Sequence, residues 1–305
     1  MKGSKPADHS ARLERALLSL EGLSVGDAFG ERFFQPLGIA TRMVERRETM
    51  PAPWGYTDDT EMALGIVQVL EEHGHMDQDA LAKVFARRYR DNPRRGYGAM
   101  AHEILASIHE GEPWREVSSR AFGGTGSMGN GGAMRAAPVG AYFAGDLERV
   151  VTEARASAEV THFHPDGQAG AIAVAVAAAW ASEWPRTHAP ASRLFEVVLD
   201  HTPPGATRQG LEAARALPLE TLPVAAAMEL GNGARVISED TVPFSVWCAA
   251  RHLAQYEEAL WSTVSAMGDR DTTCAIVGGI VVLSAGHESI PAAWLTAREQ
   301  LKLRS

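Results

Sequence analysis

Residues 57–74 read TDDTEMALGIVQVLEEHG, a run of acids and threonines followed by an apolar pattern. Within it, apolar residues recur three or four positions apart, which predicts a helix that ends near Gly74. The same period recurs along most of the chain, and two-residue alternation is nearly absent, so the sequence predicts an all-α protein. Glycine and proline clusters separate the helices without a long linker. We therefore expect one domain over residues 11–305, preceded by a flexible tail over residues 1–10.

Composition excludes several classes of protein. The 305 residues include 38 acidic and 29 basic side chains, for a net charge of −9, and 45% are hydrophobic. That hydrophobic share is typical of a folded domain. The acidic surplus argues against a general binder of nucleic acid or of membrane surfaces, because both are anionic. A polar N-terminus and the lack of a ~20-residue apolar run predict a cytoplasmic protein without a membrane partner, and we expect a monomer.

The segment begins with two adjacent carboxylates, Asp58 and Asp59, flanked by the hydroxyls of Thr57 and Thr60. Acids and threonines also cap helices, and Asp58 with Glu61 has the spacing of a capping pair. A single acid would be enough to cap the helix. Two adjacent like charges repel unless a cation lies between them, so the cluster also fits a metal site.

A second acidic cluster, Gly268-Asp269-Arg270-Asp271-Thr272-Thr273, also comes directly before an apolar helix. Asp269 and Asp271 can converge on one point if the loop curls, although a helix cap at Asp271 is the simpler explanation. Carboxylates and hydroxyls are hard oxygen ligands that suit Mg²⁺, Mn²⁺ or Ca²⁺. Two such clusters at separate helix ends meet the needs of a two-metal centre.

Two further features are weaker signals on their own. The glycine-rich loop Gly123–Gly132 leaves backbone N–H groups uncovered and able to bind phosphate. No lysine follows it as in a Walker motif, and a mobile loop explains it equally well. His162 and His164 precede an alanine-rich helix, but no cysteine or third histidine supports a zinc site.

Together, these motifs resemble the ADP-ribosylglycohydrolase family. The motifs that carry the resemblance follow in this order: Gly26-Asp27-Ala28-Phe29-Gly30, Thr57-Asp58-Asp59-Thr60, Gly129-Asn130-Gly131-x-x-Met134-Arg135, Thr161-His162 and Gly268-Asp269-x-Asp271-Thr272. The resemblance implies a single-domain orthogonal helical bundle with two Mg²⁺ or Mn²⁺ ions. It implies an enzyme that releases ADP-ribose from a modified protein or small molecule, most often by cutting an N-glycosidic bond to arginine.

The resemblance also implies roles for single residues. The metal ligands would be Thr57, Asp58, Asp59, Asp269, Asp271 and Thr272. The diphosphate and adjoining ribose would lie on Gly129, Asn130, Gly131 and Gly132. His162 would lie against the ligand, and Tyr97, in Arg95-Gly96-Tyr97-Gly98, would line the adenosine side. Proton transfer would fall to Asp58, Asp59 or Glu31.

One position departs from the family pattern. Relatives commonly carry a glutamate four residues beyond the second glycine of Gly-Asp-Ala-x-Gly, where this chain has Phe34. Glu31 follows Asp27 by four residues, so a helix would place both on one face. Glu31 then supplies the missing carboxylate from a shifted register, or it is a solvated surface acid.

The sequence leaves the leaving group open among arginine, serine, a nucleobase and an acetyl ester. Two rival functions also stay open: a metal-dependent phosphohydrolase and a non-catalytic ADP-ribose binder.

Overall fold

Over the residues that the structure describes, the chain folds into α-helices joined by loops. The computed structural model describes residues 5–303, and among these no strand forms beyond two isolated bridges. The helices are α1 (His9–Glu31), α2 (Leu37–Arg46), α3 (Asp58–His73), α4 (Gln78–Asp91), α5 (Ala99–His109), α6 (Trp114–Gly124), α7 (Ala137–Tyr142), α8 (Leu147–Glu159), α9 (Pro165–Thr187), α10 (Arg193–His201), α11 (Ala206–Ala216), α12 (Pro223–Leu230), α13 (Ser238–Arg251), α14 (Tyr256–Ser265), α15 (Arg270–Ala285) and α16 (Ala292–Ala297), with 3₁₀ turns at Asn130–Gly132 and His287–Ser289. The all-α prediction is confirmed. Within residues 5–303, no helix combines the length and the apolar character that a membrane span requires.

The first helix begins inside the segment that we expected to be a tail. Residues 1–4 of that segment lie outside the described residues, whereas α1 already begins at His9. The ring of His9 hydrogen-bonds the hydroxyl of Tyr142 over 2.6 Å. This contact ties the beginning of α1 to the end of α7, and such a long-range contact leaves no trace in the local sequence pattern.

Helices α1 and α15 pack antiparallel with their backbones in contact. A Cβ atom on Gly26 would lie 2.2 Å from the carbonyl oxygen of Cys274, and one on Gly30 would lie 2.2 Å from that of Arg270. Gly22, one turn earlier on α1, meets the next turn of α15 in the same way. Only glycine leaves room for this approach. The packing places the end of α1 beside the beginning of α15.

Most buried apolar side chains belong to one large cluster that draws on helices from α1 to α16. Phe29 of α1 stacks on Trp294 at a centroid distance of 4.4 Å and meets Trp261 edge-on at 5.0 Å. These aromatic contacts hold α14 and α16 against the second half of α1.

The C-terminal segment holds the loop that leads into α3. Trp54 donates its backbone N–H to the carbonyl of Ala297 (2.6 Å), and Glu299 donates its own to the carbonyl of Trp54 (2.9 Å). The side chain of Glu299 also accepts a hydrogen bond from the backbone N–H of Tyr56 at 3.1 Å. The residue before α3, Thr57, is therefore positioned by a segment about 240 positions away in sequence.

Candidate active site

The N-terminus of α3 is capped by Asp27 of α1. Its carboxylate accepts hydrogen bonds from the backbone N–H groups of Thr57 (3.0 Å) and Thr60 (3.1 Å), and from their hydroxyls at 2.9 and 2.5 Å. Asp27 is fully buried, and burial raises its pKa to about 6 in spite of these bonds. Glu61, a candidate for a local capping pair, instead binds the buried guanidinium of Arg88 at 2.8 Å. The capping explanation for the first acidic cluster is therefore not what the structure shows.

Three acids from three helix ends converge beside this cap. Carboxylate oxygens of Asp27, Asp59 and Asp271 lie within 4.8 Å of one another. Oδ1 of Asp59 and Oδ1 of Asp271 are buried and have no hydrogen-bond partner among residues 5–303. The hydroxyls of Thr57 (2.9 Å) and Thr272 (3.5 Å) lie close to Oδ2 of Asp59, and the single proton of the Thr57 hydroxyl is shared between Asp27 and Asp59. Burial, together with the neighbouring carboxylates, raises the pKa values of Asp59 and Asp271 well above their usual range. A divalent cation would stabilise these oxygens, and carboxylates with hydroxyls are a donor set that fits Mg²⁺ or Mn²⁺.

The other two predicted acids, Asp58 and Asp269, flank this group. Burial, followed by the charge of Asp27, raises the pKa of Asp58 to about 7. Burial also raises the pKa of Asp269, whose Oδ2 accepts a hydrogen bond from the side-chain amide of Asn130 at 2.7 Å. The structure thus brings together the two sequence clusters, as expected, and ties the glycine loop to them.

The sequence did not single out Asp27 as a site residue. In the sequence, Asp27 belongs to the Gly26–Gly30 motif and shares one helix face with Glu31. The available signal was its place among Gly22, Gly26 and Gly30, because glycines four residues apart mark a helix face that another backbone approaches closely. An acid next to such a face is buried at a helix–helix contact, where it needs partners.

The glycine loop faces the ring of His162. A Cβ atom on Gly131 would lie 3.0 Å from Nε2 of His162, one on Gly129 would lie 3.2 Å from it, and one on Gly132 would lie 3.5 Å from Cγ. Burial, with a smaller effect from the charge of Arg135, lowers the pKa of His162 to about 3. The imidazole is therefore neutral at physiological pH and packs directly on the loop.

The segment around Tyr97 reaches the acids through its backbone. A Cβ atom on Gly96, which has a φ of 91°, would lie 3.5 Å from Oδ1 of Asp58. The ring of Tyr97 is buried and meets Tyr89 edge-on at 5.2 Å and His102 at 6.0 Å. Burial, with the nearby carboxylates, raises the pKa of Tyr97. Its phenol is thus neutral and sits among aromatic side chains at one edge of the site.

Glu31 and Phe34 lie at the end of α1, next to the acidic group. Gly30 precedes Glu31, and a Cβ atom there would lie 2.8 Å from Cα of Asp271. Glu31 is half-buried, which raises its pKa. Phe34 is 47% exposed, and the guanidinium of Arg270 lies 4.8 Å above the centre of its ring. The position where relatives commonly carry glutamate is thus an arginine–aromatic pair here.

The fold and the site define an all-α protein in which buried acids from the ends of three helices meet beside a glycine loop. A family model described as ADP-ribosylglycohydrolase matches residues 8–304, and the chain belongs to this family. The resemblance found in the sequence is confirmed, and the chain is assigned to the ADP-ribosyl hydrolases.

Similar proteins agree with this assignment. The chain is 30% identical to ADP-ribosylhydrolase ARH3 of Gallus gallus over 93% of its length and 81% of the relative's. It is 31% identical to the ADP-ribosyl-[dinitrogen reductase] glycohydrolase of Rhodospirillum rubrum, but only over 52% of this chain and 55% of the relative's. The solved structure of an ADP-ribosylglycohydrolase-related protein complex superposes with a TM-score of 0.65 at 24% identity, covering 95% of this chain and 94% of the other, which supports the shared fold.

Proposed function

We propose that this chain hydrolyses the bond between ADP-ribose and a modified group, using divalent cations held between α3 and α15. The observation that carries the proposal is a pair of buried oxygens, Asp59 Oδ1 and Asp271 Oδ1, that have no hydrogen-bond partner in the part of the chain that the structure describes. Leaving carboxylate oxygens buried without partners costs stability, so their presence here supports a cation site. The glycine loop, joined to the same site through Asn130 and Asp269, supplies N–H groups for an anionic ligand.

The cations would be two Mg²⁺ or Mn²⁺ ions. The residues that would hold them are Thr57, Asp58, Asp59, Asp269, Asp271 and Thr272. Asp27 lies in the same group, but its oxygens already accept hydrogen bonds from two backbone N–H groups and two hydroxyls. We therefore assign Asp27 the support of Thr57 and Thr60 and not metal coordination. When bound, such cations supply Lewis acidity, which lowers the pKa of a water molecule towards neutrality.

The chain's own side chains would bind the substrate and move the proton. The residues that would hold the diphosphate and the adjoining ribose are Gly129, Asn130, Gly131 and Gly132. His162 would lie against this ligand, and Tyr97 would lie towards the adenosine. Asp58, Asp59 or Glu31 would remove the proton from the attacking water. The bond to the leaving nitrogen or oxygen would break through a transition state with oxocarbenium character.

The leaving group distinguishes the candidate substrates. The family resemblance favours ADP-ribosylarginine. Arg270, however, which lies between Asp269 and Asp271 in the chain, places its guanidinium over the ring of Phe34, where relatives commonly carry glutamate. A positive charge there repels a guanidinium, so this observation favours a serine hydroxyl or an acetyl ester as the leaving group.

The test incubates the full-length protein and Mg²⁺ or Mn²⁺ with ADP-ribose linked to arginine, to serine, to guanine or to acetate. We expect free ADP-ribose as the product, released faster from the serine or acetate linkage than from arginine. AMP as the product would instead identify a phosphohydrolase, and binding of ADP-ribose without turnover of any substrate would identify a non-catalytic binder.

Two controls link turnover to the acidic group. Asp59→Asn removes one unpartnered oxygen, and Asp200→Asn makes the same chemical change at an exposed position of α10. We expect Asp59→Asn to lose activity and Asp200→Asn to retain it. Full activity of chelator-treated, metal-free protein would rule out the metal-dependent reaction.

A further inference from the structure

Arg135 is a fully buried cation directly behind the glycine loop. Its Nη1 donates to the carbonyl oxygen of Gly131 at 2.8 Å, and its Nη2 donates to the hydroxyl oxygen of Thr161 at 2.8 Å. The guanidinium also lies 4.7 Å above the ring of Phe85, which holds it in place from the other side. One side chain thus joins the loop to the residue that precedes His162.

The hydroxyl of Thr161 has two hydrogen-bond partners among residues 5–303: Arg135 and Nδ1 of His162, the latter at 2.8 Å. A guanidinium can only donate, so the oxygen of Thr161 accepts from Arg135. The hydroxyl is buried, and its single proton then has one acceptor available, Nδ1 of His162. For Nδ1 to accept, it must carry no proton of its own.

These bonds determine which nitrogen of His162 carries hydrogen. With Nδ1 accepting, a neutral imidazole has its proton on Nε2. Nε2 is the atom that faces Gly129 and Gly131, where Cβ atoms would lie only 3.2 and 3.0 Å away. A second ring proton is disfavoured because it would put a positive charge beside Arg135 in a buried site.

We propose that Arg135 and Thr161 are positioning residues that fix His162 as the Nε2–H tautomer and aim this hydrogen at an anionic oxygen of the ligand on the glycine loop. The ligand's location rests on the proposed function, whereas the tautomer does not. His162 then acts as a hydrogen-bond donor that needs no proton uptake, and its contribution to binding is independent of pH across the physiological range.

The tautomer can be measured directly on the full-length protein labelled with ¹⁵N-histidine. Two-bond ¹H–¹⁵N correlation spectra distinguish a protonated from an unprotonated ring nitrogen, and a His162→Asn sample assigns the signal. We expect an unprotonated Nδ1 and a protonated Nε2 for His162, unchanged between about pH 5 and 8. A protonated Nδ1, or titration of the ring within this range, would overturn the inference. Neither result would contradict the proposed hydrolysis.

Variants then test the role of the hydroxyl. Thr161→Val keeps the shape and removes the hydroxyl, so we expect mixed tautomers and about tenfold weaker binding of ADP-ribose by calorimetry, the usual effect of losing one hydrogen bond to a charged group. Thr161→Ser should restore the single tautomer. Thr263→Val is the matched control, because it removes a buried threonine hydroxyl that donates to Ala259 on α14. An unchanged tautomer and affinity in Thr161→Val would contradict the positioning role, and the spectrum of the unaltered protein decides the case if that variant does not fold.

Discussion

Asp27 and Asp59 are both buried acids, yet their surroundings differ in a way that predicts opposite effects of the same substitution. The carboxylate of Asp27 accepts hydrogen bonds from the backbone and hydroxyl of Thr57 and Thr60. Oδ1 of Asp59 has no partner among the described residues and lies near the like charge of Asp271. The hydrogen bonds to the first acid hold the beginning of α3 against α1, whereas the unpartnered oxygen of the second acid costs the metal-free fold stability.

We therefore expect Asp27→Asn to lower the free energy of unfolding of the metal-free protein by about 3 kcal/mol, because an amide cannot accept all four hydrogen bonds. Asp59→Asn should leave it unchanged or higher, since it removes repulsion, while abolishing the rise in melting temperature on adding Mn²⁺. Thermal unfolding with and without Mn²⁺ measures both effects. Equal destabilisation by the two substitutions would contradict the different roles.

A variant of Glu31 tests whether this residue replaces the family glutamate that is absent at Phe34. If Glu31 supplies the carboxylate that relatives commonly place three residues later, Glu31→Gln should lower kcat about 100-fold, the typical contribution of a general base. The melting temperature should barely change, because Glu31 is only half-buried. Glu288→Gln, at a fully exposed side chain, is the control. An unchanged kcat would make Glu31 a solvated acid and leave proton transfer to Asp58 or Asp59.

At this scale, the sequence predicts what is local. Asp58 and Asp59 stand together in the chain, and so do Asp269 and Asp271, so their shared chemistry is visible without a structure. The role of Asp27 is not visible, because its hydrogen-bond donors lie 30 and 33 positions further along the chain. Which carboxylate has hydrogen-bond donors and which lacks them depends on how the helices pack.

At the scale of elements, the contact between α1 and α15 sets the distance between Asp27 and Asp271. The period of apolar residues predicts each helix by itself, but it carries no information on which helices touch. The sequence shows that α15 is rich in small residues, which is typical of close helix packing, and that glycines recur every four residues on α1. Their pairing, Gly26 with Cys274 and Gly30 with Arg270, emerges only from the structure.

We expect Gly26→Ala to disrupt the site without altering any polar group. The added Cβ would lie 2.2 Å from the carbonyl oxygen of Cys274 and 2.8 Å from its carbon, both backbone atoms, so α1 and α15 must separate. The loss should be about 3 kcal/mol of unfolding free energy, at the upper end for overpacking, with weaker Mn²⁺ binding. Denaturant unfolding and metal titration measure these two quantities.

Gly38→Ala is the matched control on α2, where an added Cβ meets nothing within 4 Å. Alanine forms helix better than glycine, so this change should stabilise the protein by up to about 1 kcal/mol and leave Mn²⁺ binding intact. If Gly26→Ala behaved like Gly38→Ala, the close backbone contact would not be what spaces the acids.

At the scale of the whole molecule, the net charge of −9 must be reconciled with an anionic substrate. Five carboxylates of the chain lie in or beside one site, those of Asp27, Asp58, Asp59, Asp269 and Asp271. Without cations this site repels a diphosphate. Cation binding should therefore precede ADP-ribose binding, and ADP-ribose affinity measured in chelator should be low.

The same acids make the stability of the metal-free protein depend on pH. In the unfolded chain the aspartates titrate at their ordinary pKa of about 3.8, whereas in the fold the pKa of Asp27 is raised to about 6 and that of Asp58 to about 7. The folded state thus binds these protons more tightly, and this stabilisation, complete below about pH 4, is lost as the pH rises through 6 and 7. The melting temperature of metal-free protein should fall over this range.

Mn²⁺ should reverse that trend, because it binds the ionised carboxylates and competes with protons for them. We expect the rise in melting temperature on adding Mn²⁺ to be larger at about pH 8 than at about pH 5. Asp58→Asn removes one of the titrating groups, so its metal-free melting temperature should depend less steeply on pH than that of the unaltered protein. Differential scanning fluorimetry between about pH 4 and 8, in chelator and in Mn²⁺, measures the melting temperatures of both proteins and the effect of Mn²⁺. A Mn²⁺ effect that is equal at both pH values would mean that the cation binds away from these acids.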